Sequence, residues 1–282
     1  MNRRILFSVI AIGIVPIALF ASQSTAQYRS INVRVNRWIL VQQVSGNVSY
    51  NHYNTSRPAR VGDRLQEVGD SITTDHNASA TLLIDTGIGT INVLEQSKLQ
   101  IQELKTTPDD ARITRLDLLQ GQVRLKLRTF TNRGSKLEIR TPAGLSGVRG
   151  TEFGLNVQPS GKMAIATLKG AVATSAAGIN VPVRAGYQNF TIPGESPTNP
   201  VPLRNDPGLE YRLDRIVEGG IRKVRLIGRV DPVNVVLIDG KPQSTDRNGL
   251  FSALYLAPSF LKLNVVVTTP LGKTQTYELA LQ

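Results

Sequence analysis

From Trp38 to about Phe190, apolar and β-branched residues alternate with polar ones in runs of five to eight, and Gly, Asn, Asp or Pro interrupts the runs. A period of two puts successive side chains on opposite faces, so each run reads as a short strand with one buried face. Interruptions this frequent leave no room for long helices. Val123, Leu125 and Leu127 share one such face and Arg124, Lys126 and Arg128 the other, which makes one side core and the other wet. Ser45-Gly46-Asn47-Val48, Gln120-Gly121-Gln122-Val123 and Lys169-Gly170-Ala171-Val172 repeat a Gly-x-Val strand opening. Stacked coils or returning strands account for the repeat, although spacings of 75 and 49 residues are too unequal for a strict array. A turn residue able to take positive φ is the simplest reason for each glycine.

At the N-terminus Arg3 and Arg4 precede an apolar run from Ile5 to Ala21, and Ser24 and Ala26 stand three and one positions before Gln27. That is the layout of a secretory signal peptide over residues 1–26. The run is interrupted by Gly13 and Pro16 and is shorter than the roughly 20 residues of a spanning helix. Cleavage is therefore expected, with a periplasmic or secreted body and no stable membrane span. Prolines 193, 197, 200, 202 and 207 crowd together among Gly, Ser and Asn, so residues 191–222 read as a Pro-rich linker. The spacing of Tyr211, Leu213 and Ile216 before Gly219-Gly220 predicts a short helix at its end. Strand patterns return from Lys223, with turns at Asp239-Gly240, Asn248-Gly249 and Pro270-Leu271-Gly272, and imply a small β-sandwich over 223–282.

Val68-Gly69-Asp70-Ser71-Ile72-Thr73-Thr74 and Ala78 to Asp85 resemble the opening of the FecR periplasmic domain. Thr141-Pro142 leading to Gly147-Val148-Arg149-Gly150-Thr151 and Phe153 resembles that family's signature, and Lys169-Gly170-Ala171-Val172 and Arg184-Ala185-Gly186 its later Gly-bearing strands. The resemblance covers about 38–190. It implies an all-β, solenoid-like stack of short strands used for sensing or protein contact in the envelope, with the signature residues structural and no catalytic residue to carry over. Familiar members relay a signal to a cytoplasmic sigma factor. With four residues ahead of the apolar run, a free-standing exported relative is expected here instead. Val233-x-Val235-x-Leu237-x-Asp239-Gly240 and Asp246-x-Asn248-Gly249-x-Phe251 resemble bacterial immunoglobulin-like modules.

The chain has no Cys and two His, which excludes thiol nucleophiles and Cys-based metal sites. His52 and His76 lack partners at ligand spacing, so no metal and no cofactor is expected. Asp85-Thr86-Gly87 copies an aspartic-protease loop, and Leu226-Ile227-Gly228 the element that supports one, but there is one such Asp where two must share a proton. Gly144 to Gly150 lacks the Gly-Lys-Ser/Thr ending of a phosphate loop. Arg149 and Glu152 are expected to pair across a tight turn. Between Arg112 and Arg149 nine Lys or Arg meet only Asp117 and Glu138, a local +7 in a chain of +12. Arg124, Lys126 and Arg128 are thus the candidate binding face, for an acidic envelope protein or an anionic wall or capsular polymer, with a solvated strand surface as the plainer reading. Few aromatics interleave the basic residues, which argues against nucleic acid. The expectation is a non-enzymatic protein that acts by contact.

Overall fold

The computed structural model describes residues 37–85, 87–256 and 261–281, and the expected targeting segment lies outside them. Its strands follow the sequence runs. In chain order they are β1 (Ile39–Ser45), β2 (Val48–His52), β3 (Thr55–Pro58), β4 (Arg64–Leu65), β5 (Ser71–Thr74), β6 (Ser79–Ile84), β7 (Gly89–Val93), β8 (Lys98–Thr106) and β9 (Arg112–Leu127). Next come β10 (Lys136–Thr141), β11 (Gly144–Val148), β12 (Glu152–Val157), β13 (Met163–Lys169), β14 (Ala171–Ala176), β15 (Ile179–Arg184), β16 (Tyr187–Thr191) and β17 (Val201–Pro202). The last are β18 (Glu210–Glu218), β19 (Ile221–Arg229), β20 (Val235–Ile238), β21 (Lys241–Gln243), β22 (Leu250–Leu256), β23 (Leu261–Thr268) and β24 (Thr274–Leu281). The described chain is all-β.

Two sheets face each other over the first core. Sheet I runs β4-β1-β6-β7-β9-β12-β13-β16-β17. Sheet II runs β3-β2-β5-β8-β9-β10-β11-β14-β15. Apart from the parallel β9–β10 pair, all of these pairings are antiparallel. The chain visits the two sheets in turn while advancing along both, which gives the solenoid-like stack. Strand β9 belongs to both: Gln120 still pairs with Lys98 in sheet II, whereas Gly121 pairs with Val157 in sheet I. Gly46 lies between β1 and β2 and Gly170 between β13 and β14, so all three Gly-x-Val openings mark a passage between sheets. At Gly121 the geometry demands glycine. Its φ is 87°, and a Cβ there would stand 2.4 Å from the Ser97 Cα.

Inward positions of sheet I (Val41, Leu82, Ile91, Leu125, Phe153, Ile165) meet those of sheet II (Ile72, Leu99, Leu118, Ile139, Val172), all buried in one cluster. Each such side chain contributes about 1.5–3 kcal/mol by leaving water. At one end the two sheets are clasped by Arg37. It donates to Asp85 Oδ2 at 2.8 Å, to Thr114 Oγ1 at 2.6 Å, and to the carbonyls of Lys105 and Ile113 at 2.9 and 2.6 Å. Asp85 is therefore a salt-bridged anchor whose oxygens are occupied by a guanidinium.

A second, smaller sandwich follows. Sheet III is β18-β19-β22 and sheet IV is β21-β20-β23-β24, and Leu226, Val236, Ile238, Phe251, Val265 and Leu279 fill the space between them. The helix expected near 209–221 is instead strand β18. Gly219 and Gly220, both at positive φ, form a two-residue hairpin loop that pairs Glu218 with Ile221 and lays β18 along β19. The glycines read as a helix stop are the turn of a hairpin. The Pro-rich segment before it is tied down along its length. Leu203 N–H donates to the Gly186 carbonyl at 2.8 Å, Thr269 Oγ1 to Asn205 Oδ1 at 2.7 Å, Asn234 Nδ2 to the Asp206 carbonyl at 2.8 Å, and the Tyr277 hydroxyl to the Pro207 carbonyl at 3.0 Å. Among the described residues no helix is long and apolar enough to cross a membrane.

Candidate interaction surfaces

Alternation along β9 buries Val123, Leu125 and Leu127 and turns Arg124 and Lys126 to the outer face of sheet I, with Arg128 exposed just beyond the strand end. The three are not equivalent. Glu152, opposite Lys126 on β12, accepts from Arg124 at 3.0 Å and has Lys169 at 3.9 Å. Lys126 and Arg128 have no carboxylate within ion-pair distance among the described residues. Elsewhere in the basic segment neighbouring strands supply acids: Arg115 meets Glu103 and Glu138, Lys136 meets Glu138, Arg140 meets Asp117, and Arg112 approaches Asp85. Glu138 and Asp117 are already counted in the +7, so only Glu103, Asp85 and Glu152 reach the segment from outside it, and Lys126 and Arg128 at the end of β9 are among the cations left without an ion pair among the described residues.

The signature residues build a corner. Thr141 Oγ1 accepts the N–H groups of Ala143 and Gly144 at 3.3 and 3.2 Å, capping the two-residue turn through Pro142 that joins β10 to β11. Gly147 and Val148 finish β11, with the Val148 side chain in the core. Arg149, Gly150 and Thr151 then carry the chain to sheet I, where the Thr151 carbonyl accepts the Leu127 N–H at 2.9 Å and Phe153 is fully buried. The expected Arg149–Glu152 pair does not form. The corner at Gly150 separates the two residues, and Glu152 is taken by Arg124 across the β9–β12 ladder.

The histidines each have a carboxylate that sequence spacing concealed. His52 Nδ1 lies 2.5 Å from Asp70 Oδ1, and His76 Nδ1 lies 2.9 Å from Glu95. Burial pushes the Asp70 carboxyl up, but the backbone N–H of Glu67, then His52, then the N–H of Gln66 outweigh it and hold it below the usual carboxylate range. The described residues contain no cluster of three or more metal-ligating side chains.

Pattern reading assigned outward polar residues of sheet I to solvent, yet several are buried beneath the second sandwich. Gln122 Nε2 donates to the carbonyls of Thr269 and Pro270 at 2.7 and 3.0 Å, Asn156 Nδ2 to that of Val233 at 2.8 Å, and Gln158 Nε2 to that of Asn234 at 2.9 Å. Gly154 lies two positions before Asn156 on β12, and a Cβ on it would stand 1.8 Å from the Pro270 oxygen. Carboxamides that read loop carbonyls, around a glycine that admits one of them, make a specific seam. A cavity of about 290 Å³ opens beside it, lined by Leu94, Val157 and Leu237 and by Gln96, Gln120 and Gln158.

The family model described as FecR protein matches residues 70–173, from the edge of β5 into β14. These residues form a FecR domain. The FecR segment thus holds the β9 switch, the signature corner and most of the two-sheet core. Two crystal structures of a candidate anti-sigma factor from Parabacteroides distasonis align with 14% identity over 50% of this chain and 66% of that one, at a TM-score of 0.39. This chain spans just under two thirds of that protein's length. A comparison with curated proteins finds no match.

The outer face of sheet III lies beyond the FecR segment and drew no attention in the sequence. Ile221, Leu254 and Leu256 are exposed there, and cross-strand register sets Lys223 beside Leu256 and Arg225 beside Leu254. Strand β18 is an edge strand of the same sheet. Glu218 pairs with Lys223 at 2.8 Å and Asp214 stands opposite Arg225, so these exposed aliphatics lie among charges of both signs, the composition of a contact surface with a polar rim.

Proposed function

We propose that this is an exported, non-enzymatic FecR-type protein that works at the cell envelope by contact with another protein through the outer face of sheet III. The observation that carries the reading is the row of exposed aliphatic side chains there, Ile221, Leu254 and Leu256, beside Lys223 and Arg225. Three further features support it. The FecR segment brings no catalytic residue; the candidate protease aspartate is held in an ion pair by Arg37; and the N-terminal residues have the layout of an export signal. The second sandwich places its first, second and fifth strands against its fourth, third, sixth and seventh. That seven-strand, two-sheet arrangement supports reading it as an immunoglobulin-like contact module.

A second reading rests on Lys126 and Arg128, cations that form no ion pair among the described residues, as the hold on an anionic wall or capsular polymer. Crosslinking in intact cells separates the two. Leu254→Glu with Leu256→Glu should abolish the crosslinked protein partner, whereas Lys126→Gln with Arg128→Gln should leave it in place. Loss only with the basic-face variant, together with release from purified anionic polymer at high salt, would transfer the function to that face. A partner unaffected by either pair of changes would overturn both surfaces.

A further inference from the structure

Among the described residues the four sheets end in eight edge strands, and seven of them carry a guard against pairing with a further strand. Pro58 in β3, Pro182 in β15, Pro202 in β17 and Pro242 in β21 each remove a backbone donor. Strand β4 is two residues long and holds Arg64, β24 holds Glu278, and β18 has five charged residues in nine. Strand β22 has neither a charge nor a proline. It is the far edge of sheet III, and Leu254 and Leu256 stand exposed on it.

The ladder fixes which backbone groups of β22 are free. Val230 N–H donates to the Gly249 carbonyl at 3.0 Å, and the β19–β22 register continues from there without a shift, so alternation turns Phe251, Ala253 and Tyr255 toward β19. Ser252, Leu254 and Leu256 therefore turn their N–H and carbonyl groups to the open edge. Leu250 shares that side, but both of its groups are occupied. Asp246 N–H donates to its carbonyl at 2.9 Å, and its own N–H donates to Asp246 Oδ1 at 2.8 Å. Three alternate residues are left with no backbone partner among the described residues.

We propose that β22 pairs antiparallel with the β22 of a second copy of this chain, giving a two-fold dimer whose shared sheet runs β18-β19-β22-β22-β19-β18. With Leu250 occupied, the register that uses every free group sets Leu254 against its own counterpart on the axis and Ser252 against Leu256 on either side. Each pair exchanges two hydrogen bonds. A two-fold axis brings a strand against itself, so a charged edge repels its own copy and the uncharged β22 does not. The cations of the face do not oppose the pairing. Lys223 and Arg225 lie one strand back, so the two sets stand about 14 Å apart, three strand spacings, beyond the roughly 8 Å over which charges act through physiological salt. Growth stops at two, because the pairing consumes both uncharged edges and leaves a charged β18 at each end. One strand edge is a small contact, at the low end of about 1,200 Å², so the dimer forms and dissociates with concentration. It rests on the edge of β22 and not on the contact proposed for the face of sheet III, and it lays two such faces side by side.

Sedimentation of the purified full chain across the micromolar range should show a reversible equilibrium between monomer and dimer. Ser252→Pro removes an N–H from the open edge and none from the β19 ladder, and should leave a monomer. Leu254→Lys should do the same by setting two ammonium groups opposite each other at the axis, while Ser252→Ala should still dimerise. The chain has no cysteine, so Leu254→Cys puts a single thiol on the axis, where a short bismaleimide should join two chains. Arg212→Cys, on the far edge strand, should stay unjoined. A wild type that remains monomeric throughout that range overturns the proposal and leaves the edge to a strand from a different protein. Dimerisation unchanged in both Ser252→Pro and Leu254→Lys, or joining of Arg212→Cys but not of Leu254→Cys, overturns it by placing the interface elsewhere. Ser252→Pro keeps Ile221, Leu254 and Leu256, so a different protein that it still captures in cells separates loss of the dimer from loss of the face.

Discussion

Single side chains carry more of this protein's architecture than their residue types advertise. Lys162 is an ordinary lysine in the sequence, one of 33 basic residues, and in the fold it is a cation almost sealed from water. Its ammonium is destabilised from an ordinary value of 10.5 to about 8. Between those values the unfolded chain binds a proton that the folded chain has shed, so stability must rise with pH across the window. The full gain is about 3 kcal/mol, since each pKa unit is worth about 1.4 kcal/mol. Chemical denaturation of the wild type at pH 7.5 and pH 10 should show that rise, and Lys162→Met should lose it. Equal slopes in the two proteins would mean that Lys162 is not buried as the seam requires. No periodicity could have revealed this residue, because it sits in a turn between β12 and β13 and its partners lie some eighty positions away.

Strands were the most legible elements. Alternation identified β9 and its core face, and the Gly-x-Val openings pointed to turn geometry, but that the same three glycines carry the chain between two sheets follows only from the ladders. Gly121 tests the point because β9 continues through it without a break in the strand. Gly121→Ala forces a positive φ on a side chain and drives a Cβ into the Ser97 backbone, and should cost about 3 kcal/mol or more from strain and overpacking together. Gly178→Ala shares the positive φ but meets nothing within 4 Å, and should cost about 1 kcal/mol. Similar denaturation midpoints for the two variants would show that the corner at Gly121 is not closely packed. The helix expected at 209–221 failed for a local reason. Tyr211 and Leu213 share one face of β18 at a period of two while Ile216 falls on the other, and Gly219-Gly220 serves a hairpin as readily as a helix end.

At the scale of the whole molecule the seam joins two sandwiches that the Pro-rich segment, as a sequence, appeared merely to connect. Gly154→Val cannot be accommodated without lifting the Pro270 loop, and should uncouple the second sandwich. Thermal unfolding should pass from one transition to two, with a loss of about 1–3 kcal/mol for the less stable part. A single unshifted transition would mean that the seam does not couple the two bodies. The sequence by itself determined the all-β class of the two sandwiches, most strand positions outside β18, the FecR signature and the buried side of strands such as β9, because a period of two and the conformational demands of turns are local properties. Tertiary structure alone decided which outward faces are wet. Gln122, Asn156 and Gln158 carry the same alternation signal as Arg124 and Lys126, yet three are roofed by loops far along the chain and two are not. It also decided how much of the basic segment's charge survives, since Glu103 and Asp85 reach it only through strand pairing and the Arg37 clasp. Burial and charge compensation depend on what lies across space, and local periodicity carries no record of that.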